Sequence, residues 1–349
     1  MVKSSYKDDD VIILLKDITG MVEPQKTEER EKLIQSGRHY SEMLPIEYMP
    51  TQEYMKIYKE ALTNYSKPTA LAVGVLADKI MVTRKKFVIV SLARAGIPIG
   101  ILLKRYLLSK YNINIKHYTI SIIRDKGIDK NAMKFLLERH KPEELLFVDG
   151  WSGKGAIYKE LKKALLKYSN VSDEIAVLAD PANITDLCGT HEDILIPSSC
   201  LNCTVSGLIS RTFYRSDIIG ENDFHGAIYY DNLKNADLSY DFINAIEKEF
   251  DFNYKTTEEP PKGKGIDEAI EIALKFHIDN INFIKPGIGE TTRVLLRRIP
   301  WKILINEKNK NDFQLEGIKR LAKERNVKVL YYPLKFYKAC GLIKKVEDV

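Results

Sequence analysis

The string Leu145-Leu-Phe-Val-Asp-Gly-Trp-Ser-Gly-Lys-Gly-Ala-Ile157 joins an apolar run, a carboxylate at Asp149 and a turn of small residues opening a helix-like segment. Residues of these types in this order hold anions. Backbone N–H groups from Ser152 to Ala156 would converge at a helix N-terminus, where unpaired donors and the helix dipole favour phosphate. Glycine at 153 and 155 keeps the approach clear of side chains. The spacing is not G-x-x-x-x-G-K-[ST], so the turn is not that of a Walker-type ATPase. A second string, Val88-Ile-Val-Ser-Leu-Ala-Arg-Ala-Gly-Ile-Pro-Ile99, places Arg94 at the end of another apolar run, as an anion contact or a structural ion pair. Between the two, Ser121-Ile-Ile-Arg-Asp-Lys-Gly-Ile-Asp129 is a dense charged turn. Further on, Leu195 to Tyr214 is rich in hydroxyls, contains Cys200-Leu-Asn-Cys203 and carries Arg211 near its end. No second cysteine pair or well-spaced histidine completes a zinc tetrahedron, so plain buried thiols and no metal held by side chains are expected.

These turns need rigid elements behind them. Phe87–Leu92, Lys116–Ile123, Leu145–Val148 and Ile175–Leu178 read as strands, alternating with helices over 97–109, 129–139 and 154–167. Such alternation predicts a parallel sheet covered on both faces, with ligands bound beyond the carboxyl ends of its strands. The first 85 residues are less legible; Ser36 to Glu42 and Leu44 to Pro50 read as irregular, polar-aromatic chain packed over the sheet or its open end. Lys255 to Gly265 contains two prolines, two glycines and no apolar residue, which marks a linker. The division is therefore residues 1–254, a linker over 255–265, and 266–349. Helices over 266–276, 290–298 and 313–325 alternate with strands over 281–284, 302–305 and 327–331, predicting a small α/β sandwich for the last part.

At 349 residues, two domains are the default. A hydrophobic fraction of 44% with 29% charged residues excludes a disordered or collagenous chain. The longest apolar stretch carries Arg94 and is broken by Gly96, Pro98 and Gly100, so no membrane span is expected; without a signal-like leader, a cytoplasmic protein is inferred. Four cysteines make no disulfide framework. The net charge of +6 is uneven. From Lys262 onward 19 Lys and Arg face 11 Asp and Glu, while the rest is slightly acidic, pointing to a polyanion partner for the C-terminal part.

Hydrophobic strand, Asp149 and the Ser152-Gly-Lys-Gly155 turn together resemble the 5-phosphoribosyl-1-pyrophosphate (PRPP) motif of type I phosphoribosyltransferases. Leu92-Ala-Arg-Ala-Gly96 resembles the pyrophosphate loop of the same family, where relatives often hold a non-proline cis peptide. The resemblance implies a type I phosphoribosyltransferase fold. Asp149 would hold the ribose, Ser152, Gly153, Lys154, Gly155 and Ala156 the 5′-phosphate, and Ala93, Arg94, Ala95 and Gly96 the pyrophosphate, with Leu92, Gly150 and Trp151 completing the substrate-binding set. Arg124 and Lys126 would reach pyrophosphate oxygens from a mobile loop, with Asp125 or Asp129 orienting a metal-bound water. It also implies Mg²⁺, bound mainly through PRPP, and frequent homodimerisation. Arg211 would read a nucleobase-like acceptor, on which Trp151 would stack unless it is a core aromatic. With the hydroxyl-rich segment, residues 30 to 250 resemble a bacterial phosphoribosyltransferase-like family encoded near tellurite-resistance and stress genes, some members of which are labelled cysteine protease.

Lys285-Pro-Gly-Ile-Gly-Glu-Thr-Thr-Arg293 and Ala339-Cys-Gly-Leu342 resemble the Pelota/L7Ae-like RNA-binding domain. This implies RNA contacts at Lys285, Gly287, Gly289, Glu290, Arg293, Arg297 and Arg298. The expected function is transfer of phosphoribose to a nucleobase-like acceptor with pyrophosphate release, with Asp149, Arg94 and Lys126 at the reacting centre and RNA on the second domain. Two alternatives stand beside it. One is a cysteine hydrolase using Cys200 with His39, His191 or His225 as base, and the other a nucleotide-sensing RNA-binding protein without turnover.

Overall fold

Strands that are apolar on both faces need helices above and below them, and the computed structural model, which describes residues 1–345, provides both layers. After two short strands, β1 (Ile12–Ile13) and β2 (Lys16–Asp17), come α1 (Thr27–Gln35) and the long α2 (Gln52–Thr83). The alternating part follows: β3 (Val88–Leu92), α3 (Gly96–Tyr111), β4 (His117–Ile120), the antiparallel pair β5 (Ile122–Ile123) and β6 (Gly127–Ile128), α4 (Lys130–Leu137), β7 (Leu145–Trp151), α5 (Ala156–Leu165), β8 (Ile175–Ala179) and β9 (Cys188–Thr190), and later β10 (Gly226–Ala227) pairs with β2. The sheet runs β1-β4-β3-β7-β8-β9 with every pairing parallel. Alternate residues divide the core. Ile89, Leu146 and Val148 pack with α2, α3 and α6 (Ser239–Glu247), whereas Val88, Val90 and Phe147 pack with α4 and α5. This is a mixed α/β fold built on a parallel sheet. No helix among the described residues is long and apolar enough to cross a membrane.

The segment 1–85 holds more order than its sequence suggests. Thr51 caps α2 by accepting from Tyr54 N at 3.3 Å. The helix then runs for 32 residues with Pro68 inside it. Its second half is enclosed nearly all round: Val73, Leu76, Ala77 and Ile80 have no exposed surface. A helix buried on most sides loses the one-faced apolar period that would announce it.

The C-terminal part is a second sheet, β11 (Ile284–Pro286), β14 (Ala339–Ile343), β12 (Pro300–Asn306) and β13 (Lys328–Tyr332) in that order, with α7 (Gly265–Lys275), α8 (Ile288–Arg297) and α9 (Glu316–Glu324). β14 runs antiparallel to both neighbours, and β12 and β13 are parallel. One apolar core continues from Leu195 and Ile196 into Ile288, Leu295 and Ile318, so the two halves are packed together as well as tethered. Polar clasps add direction to that contact. Asp193 accepts from Ile288 N at 2.9 Å and Lys338 N at 2.8 Å, Arg298 grips Glu31 at 2.6 and 2.8 Å, and Arg320 pairs with Glu60 at 2.9 Å.

Candidate functional site

The two turns meet beyond the carboxyl ends of β3 and β7. A Cβ on Gly96 would run into Val148 O, and one on Gly150 would lie 3.1 Å from Ala95 O, so glycine is what permits this approach. The Ala93–Arg94 peptide is cis. Ala93 to Ala95 and Trp151 to Ala156 line one cavity of about 1410 Å³ with Arg124, Asp149 and Arg211. Leu92, Gly96, Gly150 and Lys126 are outside the lining, and Lys126 lies 3.8 Å from Glu42. Arg94 is held by Ile209 O at 2.8 Å and Glu47 at 3.3 Å, which is the ion-pair role considered for it. Arg124 donates to Asn282 at 2.6 Å. Asp129 is the N-cap of α4, accepting from Asn131 N and Ala132 N at 3.0 Å. Burial pushes the Asp149 carboxyl up to about 6, opposed by the Gly150 N–H and Arg293.

Far from standing open to RNA, the face expected to bind it is folded onto this turn. Gly289 of α8 lies so close to Trp151 that a Cβ would sit 2.9 Å from the indole, and the Arg293 guanidinium stands 4.3 Å from the same ring. Trp151 is therefore packed against α8 at the edge of the cavity, half-buried. Tyr337 donates to Gly153 O at 2.6 Å and Lys154 to Ile284 O at 2.8 Å. Burial drives the Lys154 ammonium down to about 8 and that of Lys285 to about 7, in each case with further cations nearby. Lys285, Glu290, Arg293, Arg297 and Arg298 line the same cavity from the opposite side; Gly287 and Gly289 adjoin a minor crevice against Trp151 and Ser152.

The thiols are buried, as the sequence leads one to expect, but the cysteine–histidine partnership is not the one that the Cys200 alternative names. All four cysteines are free and buried. Cys200 borders the cavity, but burial pushes its thiol up to about 12 and no histidine among the described residues is within hydrogen-bond reach. His39 is engaged with Ser41 and Arg124 O, and His225 with Ser121. His191 faces Cys188 instead, with 3.4 Å between Nε2 and Sγ. Its Nδ1 lies 3.2 Å from Asp180 O and 3.9 Å from the Asp180 carboxylate. Asp180 sits just after β8, accepts from Ile184 N at 2.7 Å and Thr185 N at 3.0 Å, and receives the Ser152 hydroxyl. Ligand atoms of Asp180, Cys188 and His191 lie within 4.8 Å of one another, a geometry that could also hold a metal ion. Cys188 and His191 are neighbours along the chain, but Asp180 joins them only because β8 and β9 pair. Arg30 and Glu47, which line the cavity, and Glu31, which holds its Arg298, come from the part of the chain that the sequence left unread.

Residues 4–247 match the family described as "Tellurite-like stress resistance cysteine protease StiP", and residues 264–345 match the PELOTA RNA binding domain. A protein of Acinetobacter baylyi named "Cysteine protease StiP" is 35% identical over 98% of this chain and 94% of its own length. A hypothetical protein from Neisseria gonorrhoeae, solved with bound ppGpp, shares 18% identity over 32% of this chain and 65% of its own, with a TM-score of 0.23. A putative phosphosugar isomerase from Clostridium difficile shares 14% identity over 78% of this chain and 68% of its own, with a TM-score of 0.19. Neither structural likeness is strong enough to bear on ligand or mechanism. The family name and that of the Acinetobacter relative overturn the expectation of a phosphoribosyltransferase that turns over PRPP and agree with the thiol-hydrolase alternative. With its match over residues 4–247 and its nearly full-length relationship to that relative, this chain belongs to the StiP family of tellurite-like stress resistance cysteine proteases.

Proposed function

We propose that the chain is a cysteine hydrolase whose nucleophile is Cys188, served by His191 and oriented through Asp180. The observation that carries this reading is the 3.4 Å between Cys188 Sγ and His191 Nε2; no other cysteine among the described residues has an imidazole in reach. Asp180 O can only accept, so Nδ1 carries the ring hydrogen and Nε2 is left to take the thiol proton. As sulfur attacks a substrate carbonyl, that proton passes to Nε2 and is then given to the leaving group. β9 is the last strand of the parallel sheet, and an extended polypeptide laid along such an edge would be brought to Cys188. The parallel sheet, with both turns at its carboxyl edge, is read as a type I phosphoribosyltransferase-like scaffold put to different chemistry. An RNA-binding role for the C-terminal domain rests on its domain match.

In the described conformation the thiol is covered. Burial pushes Cys188 up to about 12, and Glu258 of the joining segment accepts from Thr190 Oγ1 at 2.7 Å and His191 N at 2.6 Å. Hydrolysis therefore requires this strap to lift. The test is turnover of reduced, carboxymethylated casein. Cys188→Ser and His191→Asn should each lower kcat/KM by roughly a thousandfold or more with the far-UV dichroism unchanged, while Cys200→Ala and Cys203→Ala should retain activity. Full activity in folded Cys188→Ser would remove Cys188 from the reaction.

A further inference from the structure

The cavity between the two halves is unbalanced in charge. Twelve Lys and Arg residues line it against four Asp and Glu. Three of its arginines are matched, since Glu31 takes Arg298 at 2.6 and 2.8 Å, Glu47 takes Arg94 at 3.3 Å and Glu290 takes Arg293 at 3.4 Å. Arg30, Arg211 and Arg297 have no such counterion among the described residues. Arg30 is only 4% exposed, its side chain has no hydrogen bond or ion pair there, and its Nε is a buried donor without an acceptor. The Nε atoms of Arg293 and Arg297 are also buried and unpaired. Among the described residues, the Arg211 side chain has only the Tyr40 ring, 4.7 Å from its guanidinium carbon.

These cations face one another. Burial holds Arg211 down to about 9, with Arg30, Arg298 and Arg94 adding repulsion that Tyr40 offsets in part; burial and then Arg94 and Arg293 act in the same sense on Arg297. A buried, unpaired guanidinium such as that of Arg30 is costly to the folded state, and with the half-buried Arg211 and Arg297 around the same hollow the demand for negative charge is strong. The guanidinium fork matches the oxygens of a phosphate group. Across the cavity, the N–H groups of Gly153, Lys154 and Gly155 find no acceptor among the described residues, so the opposite wall also offers donors to an anion. Tyr48, 65% exposed at the rim, presents an aromatic face on which a base could stack. The cations of the cavity lie between the two halves of the chain and are not spread along an open face, which favours a small free molecule over a nucleic-acid strand.

We propose that the cavity between the two domains binds a small nucleotide-like ligand bearing two or more phosphate groups, held by Arg30 and Arg211 from one domain and Arg297 from the other. Such a ligand neutralises charges that oppose closure and thereby fastens α8 over the Ser152–Ala156 turn. The site is separate from the Cys188 cluster and does not depend on its chemistry.

The experiment is calorimetric titration and thermal denaturation of the full chain at physiological salt. The probes are inorganic tripolyphosphate, a nucleoside triphosphate and a short RNA with a 5′-hydroxyl end. Tripolyphosphate and the triphosphate should bind saturably and raise Tm. Arg30→Met and Arg297→Met should weaken that binding about tenfold or more, while their ligand-free Tm stays level or rises because an unpaired buried charge has gone. Purely structural arginines would instead lower the ligand-free Tm and leave phosphate affinity intact. That outcome, absence of saturable binding, or binding of the RNA alone would overturn the proposal. Cys188→Ser should bind tripolyphosphate like the unaltered chain, so failure of the hydrolase reading leaves this one standing, and the reverse.

Discussion

Asp149 shows how position resets a side chain. Its folded-state pKa of about 6 lies above the ordinary 3.8 because burial penalises the charged carboxylate more than the Gly150 N–H and Arg293 stabilise it. The folded protein holds that proton more tightly than the unfolded chain. The resulting stability is complete below about pH 4 and is lost as pH rises through 6. Asp149→Asn should therefore stabilise the protein at pH 7 by about 2–3 kcal/mol relative to its effect at pH 4, as read from urea unfolding at the two pH values. Equal effects at both would show that the carboxyl is not desolvated. At the thiols, burial works in the same direction and keeps Cys188, Cys200 and Cys203 protonated. Glu258→Ala removes the acceptor that fastens the strap over His191, so it should speed alkylation of Cys188, located by peptide mass mapping, and leave Cys200 slow.

At the scale of elements, the contact between α8 and the turn after β7 organises the site. Asp193, just after β9, holds α8 in place beside that turn by accepting from the first turn of the helix and from Lys338 N, and the positive end of the helix favours its charge. Removing a buried acceptor leaves several donors unsatisfied. Asp193→Ala should cost about 2–4 kcal/mol and increase proteolytic cutting in the joining segment, while Asp193→Asn should cost less. The sequence made the strand–helix units legible because apolar runs and turn residues are local signals: β3, β7 and α5 lie close to where those signals put them. It concealed α2, whose second half is enclosed on most sides. It also split strand and helix incorrectly near Ile281, where a short 3-10 turn precedes β11.

For the whole molecule, the decisive feature is that the second domain closes over the first. Arg298 is held in two bonds by Glu31, a residue only 1% exposed, so one long-range ion pair ties α1 to the end of α8. Glu31→Ala would leave the guanidinium uncompensated beside Arg30, and a loss of about 3–5 kcal/mol is expected. Small-angle scattering should show a larger radius of gyration, partly restored by tripolyphosphate if the cavity ligand fastens the domains. An unchanged radius and stability would mean that the apolar contact alone sets the arrangement.

The chain's own order of residues determined the parallel α/β sheet, the glycine turns at its carboxyl edge, the basic C-terminal module and the absence of any long apolar span, because each is written in neighbouring residues. Partnership across distance was decided only on folding. Asp180 reaches His191 through the pairing of β8 with β9, and Arg30, Arg211 and Arg297 converge from widely separated segments of the chain. The same residues that resemble two separate sites became opposite walls of one cavity, since burying the apolar side of α8 brought its cations face to face with the turn.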